Sequence, residues 1–385
     1  MSDEIPDLLY SDAERALSDA LASLLADRGG LDQALARIES AQTYDDKLWR
    51  AVGADLGCAG LLIPEPDGGA GASYREAAAA AEVLGSFVAP VPFLGSAVVA
   101  TTALLSAGSQ GGLLASMADG GVTTALAVPF ATAPGAAYPT TVRVAGARPG
   151  DATTGVARLR GMVAGVADAL PAGVLLVPAD GVPQALYLVD MAAEGVAKAP
   201  VTSLDMTRQL CDLSFDDTPA TLIASGTAAS RALGAALTAG AGILAAEQTG
   251  LAQRCLDMTV AYVKERKQFA RPVGSFQGLK HRLADLWVSL TQARAASRYA
   301  AACLATATLA DPGDAKVAVA LAKAYCSEVA VQAAQECVQM HGGIGFTWEH
   351  TAHLFLKRAK ADSIAFGTAD AHRAALASLV DLPAS

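Results

Sequence analysis

The chain has 385 residues, of which 52% are hydrophobic and only 5% aromatic, and its formal net charge is −10 at pH 7. This length is enough for two or three domains. The acidic balance argues against a nucleic-acid-binding protein, because such a protein needs clustered Lys and Arg on its contact surface.

Residues 1–120 are predicted to form a helical domain. Apolar residues recur at helical spacing after Ser11, which can form a capping box with Glu14. The pair Gly29-Gly30 ends this first helix. Further helices are predicted over 31–40, 45–56, 74–84 and 98–107.

Residues 121–225 are predicted to form a small β domain, because short β-rich runs alternate there with Gly, Pro and Asp. Residues 226–385 are predicted to be helical again. Residues 229–268 contain no Pro and predict one helix of about 60 Å, which is too long for one small domain and indicates a bundle with a subunit interface. A turn is predicted at 311–314 and another long helix at 315–340.

No stretch reaches the roughly 18 charge-free apolar residues of a membrane span. The acidic N-terminus also lacks the basic-then-apolar pattern of a signal peptide. We therefore expect a cytoplasmic protein without a membrane span. The six cysteines form no CxxC pair, which favours buried free thiols over a disulfide framework or a metal site.

Three motifs in order resemble those of the acyl-CoA dehydrogenase family. They are I-P-E-x-x-G-G-A-G at 63–71, the stretch G-L-A-Q-R…R-K-Q-F-A…F-Q…A-D at 250–285, and Q-M-H-G-G-I-G-F at 339–346. The resemblance covers nearly the whole chain and is weakest over 120–225. It implies a mainly α fold with a central β-barrel or sandwich domain, a C-terminal four-helix bundle and a tetramer, either homomeric or heteromeric.

The C-terminal motifs contain residue types that suit FAD. A guanidinium can hold a pyrophosphate with paired bonds, an aromatic ring can cover a base, and paired glycines let the backbone approach a phosphate. The resemblance implies that these residues bind the adenine dinucleotide end of FAD, partly across a subunit interface: Arg266, Phe269, Phe276, Gln277, Gln339, Gly342, Gly343 and Thr368.

The family removes a proton from the α-carbon of an acyl-CoA with a carboxylate base and passes a hydride from the β-carbon to the flavin N5. Many members carry the base in a Y-E-G-T turn, but residues 365–368 read A-F-G-T, so Phe366 stands in its place. Others carry it in the long helix, at the position of Gly240. The side chains of Phe366 and Gly240 cannot take a proton, although the Phe366 N–H could still bind the thioester oxygen.

Glu247 lies two helical turns beyond Gly240 on the same face, about 10 Å away. It is the only acid between Asp217 and Asp257. We therefore predict that Glu247 is the base, with its pKa raised toward neutrality by burial. The alternative is a structural Glu in an interhelical salt bridge.

The middle domain departs from the family pattern. Residues 127–130 read A-V-P-F where the family has T-E-P followed by G-S-D, and residues 162–165 read M-V-A-G where the family lays an aromatic-and-hydroxyl strand beside the flavin. Three hypotheses follow: an active dehydrogenase, a non-catalytic partner subunit of a heteromeric dehydrogenase, and a flavin monooxygenase or nitroalkane oxidase. If the chain is an active dehydrogenase, the small residues near Gly240 suggest a substrate with a bulky acyl group of the lipid or steroid side-chain type. The family resemblance implies an electron-transfer-flavoprotein-like electron acceptor.

Overall fold

A computed structural model describes residues 6–38, 40, 44–108, 110–145, 156–181, 183–307 and 314–382. The predicted order of helices, sheet and helices is confirmed. Helices precede the sheet as α1 (Asp12–Arg28), α2 (Leu31–Ile38), α3 (Asp46–Arg50), α4 (Tyr74–Ser86), α5 (Thr101–Ala107) and α6 (Gly111–Ala118). π-Helical turns extend α3 through Ala51–Asp55 and lead into α5 over Phe93–Ala100.

The first helix begins at the predicted capping box. The Ser11 hydroxyl accepts from the Glu14 backbone N–H at 3.2 Å, and the Glu14 carboxylate accepts from the Ser11 N–H at 2.6 Å. The same carboxylate, which is almost fully buried, also pairs with Arg75 of α4 at 2.6 Å. A local cap therefore also joins two helices of the N-terminal half.

One seven-stranded sheet forms the middle of the chain. Its strands are β1 (Thr124–Leu126), β2 (Val142–Val144), β3 (Val156–Ala167), β4 (Val174–Ala179), β5 (Ala185–Asp190), β6 (Val196–Val201) and β7 (Leu210–Ser225). The order is β1-β4-β5-β7-β3-β2, with β6 paired to the first half of β7. Only β1 and β4 run parallel among these pairs.

The helices after the sheet are α7 (Thr227–Glu265), α8 (Gln277–Thr306), α9 (Ala315–His341), α10 (Ala352–Asp362) and α11 (Ala369–Leu379). The single long helix predicted over 229–268 is confirmed by the 39 residues of α7. It ends at Glu265 and leads into a short hairpin. Residues 311–313 of the predicted turn lie outside the described part of the chain.

The two helical segments share one core across the crossing of α4 and α7. A Cβ added to Gly250 of α7 would lie 1.7 Å from the Glu82 carbonyl oxygen, and one added to Gly85 of α4 would lie 2.1 Å from the Glu247 carbonyl oxygen. Backbones this close allow no side chain between them. The N-terminal helices thus pack directly on the centre of α7.

Two segments, Thr227–Glu265 and Ala315–Phe346, are long and apolar enough to cross a membrane by length and composition alone. In each, 67% of the most apolar window is buried inside the protein. Such burial is typical of core helices, whose apolar surface contacts other helices rather than lipid.

Candidate active site

The two positions at which the family carries its base lie next to each other. A Cβ added to Gly240 would lie 2.7 Å from Cζ of Phe366 and 2.8 Å from Cγ2 of Val99. The Phe366 ring is 4% exposed and packs edge-on against Phe130, with ring centroids 5.2 Å apart. An aromatic side chain therefore fills the space between the two positions.

The backbone of Phe366 is also occupied. Its N–H donates to the Phe130 carbonyl at 2.8 Å, and its carbonyl lies 2.8 Å from Nε2 of His372. The residue adopts φ +51°, a conformation that L-residues rarely take and that these bonds help to hold. Binding of the thioester oxygen by this N–H stays a prediction, and it would require the bond to the Phe130 carbonyl in the β domain to break.

A buried lysine fixes the turn that carries Phe366. Lys323 of α9 is fully buried and donates to the carbonyl oxygens of Asp362 at 3.0 Å and Gly367 at 3.3 Å, and to the Ser327 hydroxyl at 2.9 Å. Burial lowers the pKa of Lys323 to about 8. The turn after α10 is thus held to α9 by the hydrogen bonds of Lys323.

Glu247 lies 4% exposed in the middle of α7, and both of its carboxylate oxygens are taken. Nη2 of Arg208, in the loop before β7, donates to Oε1 at 2.7 Å and to Oε2 at 2.6 Å. Nη1 of Arg358, from α10, donates to Oε1 at 2.6 Å. Glu247 therefore joins the sheet, α7 and α10 through charged hydrogen bonds.

This geometry argues against a general base. Although burial acts to raise the pKa of Glu247, the attraction of Arg208 and Arg358 and their hydrogen bonds outweigh it and lower that pKa. The direction is opposite to the rise that the prediction required, since an efficient base has a pKa near the working pH. The catalytic role of Glu247 stays a prediction, while its contacts match the alternative of a structural salt bridge.

The same two arginines bind further acids. Arg208 donates to Oδ1 of Asp362 at 2.7 Å, and Arg358 donates to Asp205 and, at 2.7 Å, to the Thr207 hydroxyl. Oδ2 of Asp362 is buried without a partner. Burial raises the pKa of Asp362 to about 7 against the attraction of Arg208. We call this set, Asp205, Arg208, Glu247, Arg358 and Asp362, the buried ion cluster.

Of this cluster, only Glu247 was singled out from the sequence. Lys323 stands as the one charge in an apolar run, A-V-A-L-A-K-A-Y-C. This pattern is a usable signal, because a charge inside an apolar helix needs a buried partner. Nothing in the sequence showed which residues would be those partners.

The residues predicted to bind FAD, apart from Thr368, lie on two segments at one end of the bundle. His341, the last residue of α9, stacks on Tyr262 near the end of α7, with ring centroids 4.3 Å apart. This contact brings together the segment that follows α7, with Arg266 and Phe269, and the turn that follows α9, with Gly342.

The segment after α7 is a tight hairpin of Lys267–Gln268 and Arg271–Pro272. Phe269 and Ala270 form its tip with positive φ angles of 53° and 61°. The Phe269 side chain is 85% exposed, and its ring lies edge-on to the ring of Phe276. The Arg271 guanidinium lies 4.0 Å above the centroid of the Phe276 ring. The family Gly at 270, here Ala, would fit this conformation with less strain.

Gln339, Gly342 and Gly343 are exposed, and a Cβ on either glycine would meet open space. Gln277 is exposed as the first residue of α8. Thr368 lies apart from this set as the N-cap of α11, where its hydroxyl accepts from the Ala371 N–H at 3.3 Å. Its predicted contact with FAD therefore competes with a capping bond.

These residues fit one half of FAD better than the other. The exposed guanidinium, aromatic faces and open glycines suit a pyrophosphate and an adenine. At the place implied for the flavin ring, the backbone N–H of Phe130 bonds the Gly165 carbonyl at 2.9 Å, and the Phe130 ring packs on Phe366. The described residues thus offer a surface that suits the dinucleotide, while at the place implied for the flavin ring Phe130 and Phe366 pack against each other.

Two family models match the chain. The acyl-CoA dehydrogenase N-terminal domain matches residues 11–111, and the acyl-CoA dehydrogenase C-terminal domain matches residues 230–380. Together they account for more than half of the sequence. The intervening sheet is matched by neither model.

Similar proteins include the acyl-CoA dehydrogenase IpdE2 of Mycobacterium tuberculosis, 34% identical over 343 residues that cover 89% of each chain. Among solved structures, the ChsE4-ChsE5 complex of Mycobacterium tuberculosis has a TM-score of 0.85 at 27% identity, covering 99% of this chain and 100% of that one. A variant of the Tcur3481-Tcur3483 steroid ACAD has a TM-score of 0.81 at 29% identity, covering 96% and 98%.

Proposed function

This chain belongs to the acyl-CoA dehydrogenase family, and from that premise we propose that it is the subunit of a heteromeric, FAD-dependent acyl-CoA dehydrogenase that does not supply the base. The observation that carries the proposal is the contact between Phe366 and Gly240, where a Cβ would come within 2.7 Å of the ring. Neither of the two family base positions, Gly240 and Phe366, carries a carboxylate, and the Phe366 ring packs against Gly240. The reaction, α,β-dehydrogenation of an acyl-CoA, would then take place in the cleft of a partner chain.

The buried ion cluster also supports the proposal that this chain does not supply the base. Glu247 has its oxygens bound by Arg208 and Arg358, and its pKa is lowered. A carboxylate in this state is a poor proton acceptor, because taking a proton would remove the counter-charge that the two buried arginines share. Its role in this proposal is to hold the β domain against α7 and α10.

The proposed contribution of this chain to catalysis is to bind the dinucleotide half of FAD. When bound, FAD supplies the acceptor for the two electrons that leave the acyl chain. Arg266 would hold the pyrophosphate, Phe269 and Phe276 would flank the adenosine, and Gly342 and Gly343 would let the backbone approach it. Gln277 and Gln339 would offer amide hydrogen bonds at the rim.

An exposed apolar surface surrounds this end of the bundle and favours a partner chain there. Phe269 is 85% exposed, Phe346 81%, Trp348 55% and Ile344 44%. Large aromatic side chains clustered at a surface are typical of protein interfaces. A partner that covers them would also enclose the FAD held beside them.

Two similar structures support a heteromeric assembly and suggest a substrate class. The ChsE4-ChsE5 complex pairs two differently named chains, and the Tcur3481-Tcur3483 enzyme is a steroid ACAD. By similarity we propose a heterotetramer that acts on a bulky acyl-CoA of the lipid or steroid side-chain type. A cytoplasmic location, expected from the sequence pattern, and an electron-transfer-flavoprotein-like acceptor, implied by the family resemblance, complete the proposal.

The test is to purify the untagged native protein and to measure its polypeptides and flavin. We expect two different chains in equal amounts and bound FAD. Arg266→Ala in this chain should lower the flavin content of the assembly, whereas Lys267→Ala in the same hairpin should not, because only the former removes the pyrophosphate contact. A homomeric protein with one FAD per chain, or unchanged flavin in Arg266→Ala, would contradict the proposal.

A further inference from the structure

A groove with two lysines lies where the end of α7, the hairpin after it and the start of α8 meet. Apolar side chains line it, namely Val260 and Val263 of α7 and Leu283 of α8, and its volume is about 450 Å³. Lys264 of α7 and Lys280 of α8 line it as well. Both lysines are exposed, whereas Val263 is 3% exposed, so the charges lie at the rim and the apolar side chains lie deeper. We call this feature the basic groove.

The segment 264–280 around the basic groove is strongly basic, although the whole chain has a net charge of −10. It contains one acid, Glu265, and five basic residues: Lys264, Arg266, Lys267, Arg271 and Lys280. Within the described part of the chain, none of these five side chains forms an ion pair. Like charges on one short segment repel each other, so this surface attracts an anionic ligand or partner.

The helices themselves explain only one of the two groove lysines. Lys264 lies in the last turn of α7, where the helix dipole favours a cation. Lys280 lies in the first turn of α8, where the dipole disfavours a cation, and that turn contains no acid. The charge of Lys280 therefore does not serve its own helix, and an anion that binds from outside explains it better.

The shape and lining of the groove decide which anion fits. In the proposed function the FAD pyrophosphate uses Arg266, which leaves the two groove lysines without a partner. A nucleic acid is disfavoured by the acidic balance of the whole chain. A lipid bilayer is flat and would meet the rim lysines without reaching the deeper apolar side chains. A protein segment that carries carboxylates beside an apolar side chain fits both the rim and the lining.

We propose that the basic groove binds an acidic segment of the partner chain. This inference rests on the proposed function, in which a partner chain covers this end of the bundle. Carboxylates of the segment pair with Lys264 and Lys280, and an apolar side chain between them packs on Val260 and Leu283. Phe269, at the tip of the same hairpin and 85% exposed, extends the contact with the partner.

This contact also selects a different chain over a second copy of this one. In a twofold-symmetric dimer the same surface patch faces itself across the axis. Two copies joined through the basic groove would therefore place two strongly basic segments opposite each other. Such like-charge contacts disfavour the wrong partner, while an acidic partner surface is attracted.

The first experiment measures lysine acetylation in the native complex and in the isolated chain by peptide mapping. We expect Lys264 and Lys280 to react more slowly in the complex, because the partner covers them, while the exposed Lys47 and Lys316 react equally in both. A native protein without a second chain would contradict the proposed function itself. A two-chain complex in which Lys264 and Lys280 react as fast as in the isolated chain would overturn this inference alone.

The second experiment compares Lys264→Glu/Lys280→Glu with Lys47→Glu/Lys316→Glu, which changes the net charge equally elsewhere on the surface. Titration with the second chain of the native complex should show a dissociation constant raised about tenfold or more in the groove variant and unchanged in the control. Flavin per assembled complex should stay the same, because Arg266 is intact. Equal affinities of the two variants would overturn the inference, because the groove would then not contact the partner.

Three further outcomes of the same variants would assign the groove to another occupant and overturn the inference. Loss of flavin with unchanged assembly would make it part of the dinucleotide site. Dimers of the isolated chain that dissociate only in the groove variant, followed by sedimentation, would make it a contact between copies. Binding to phosphatidylserine vesicles that only the groove variant loses, with assembly unchanged, would make it a membrane contact.

Discussion

At the scale of single residues, Glu247 and its two arginines, Arg208 and Arg358, form a buried charged group. Three charged side chains from different elements are less than one-tenth exposed and meet within hydrogen-bonding distance. Removing water from such charges costs several kcal/mol per ion, which only good pairing offsets. The cluster is stable as a whole, but each member depends on the others.

Glu247→Gln therefore tests whether this acid is structural. We expect it to lower the free energy of unfolding by about 3–5 kcal/mol, because Arg208 and Arg358 would lose their shared counter-charge. Asp370→Asn, which removes one partner of the exposed ion pair with Arg373, is the control and should unfold like the wild type. Urea denaturation of all three proteins decides: a Glu247→Gln protein as stable as the control would contradict the structural role.

The raised pKa of Asp362 predicts how the free energy of unfolding depends on pH. Its carboxyl has an ordinary pKa of 3.8, and burial raises it to about 7 in the folded protein. Between these values the folded state keeps a proton that the unfolded state has lost, so this group makes stability fall as pH rises through that window. Asp362→Asn has no such proton and should lose less stability than the wild type between pH 5 and pH 7.

The measurement is the free energy of unfolding in urea at pH 5, 6 and 7 for both proteins. Lys323 has a pKa of about 8, so its own titration lies mostly above this range. Parallel curves for the wild type and Asp362→Asn would show that the Asp362 carboxyl does not keep its proton.

At the scale of elements, α7 organises the molecule because its small residues let other helices approach. Gly250 lies against the backbone of α4, while Gly234, nearer the start of the same helix, has open space where a Cβ would be. Alanine stabilises a helix by about 1 kcal/mol relative to glycine. This gain is expected at Gly234, where there is room for the methyl group, and not at Gly250.

Gly250→Ala and Gly234→Ala thus form a matched pair on one helix. We expect Gly250→Ala to destabilise the protein by about 3 kcal/mol or more, because α4 must move away from α7. Gly234→Ala should raise stability by about 1 kcal/mol. Thermal and urea unfolding measure both, and equal effects from the two substitutions would refute the close crossing.

The elements also show what the sequence could and could not predict. Periodicity predicted α7 and α9 well, because long uninterrupted patterns leave little choice of structure. Strand β6 was not predicted: V-A-K-A-P-V lies mostly exposed on the sheet and lacks apolar alternation. The contact of Phe366 with Gly240 depends on how the turn after α10 packs on α7, and no local pattern encodes that.

At the scale of the whole molecule, the two ends of the chain form one body around α7. The motifs were enough to predict the family, and helical periodicity together with the β-rich runs predicted the order of helices, sheet and helices. They could not show that the N-terminal and C-terminal helices share a core, because a helical pattern says which face is buried and not against what. The contacts of Phe366 with Phe130 and with the Gly240 position were likewise visible only once those elements were packed.

This chain is proposed to support an acyl-CoA dehydrogenase without supplying its base. The direct measurement is anaerobic titration of the FAD-reconstituted chain, first alone and then in its native complex, with a steroid side-chain acyl-CoA, followed by flavin absorbance. We predict that the complex is bleached and that the isolated chain is not. Stoichiometric bleaching of the isolated chain would show that it carries a working base and would contradict the claim.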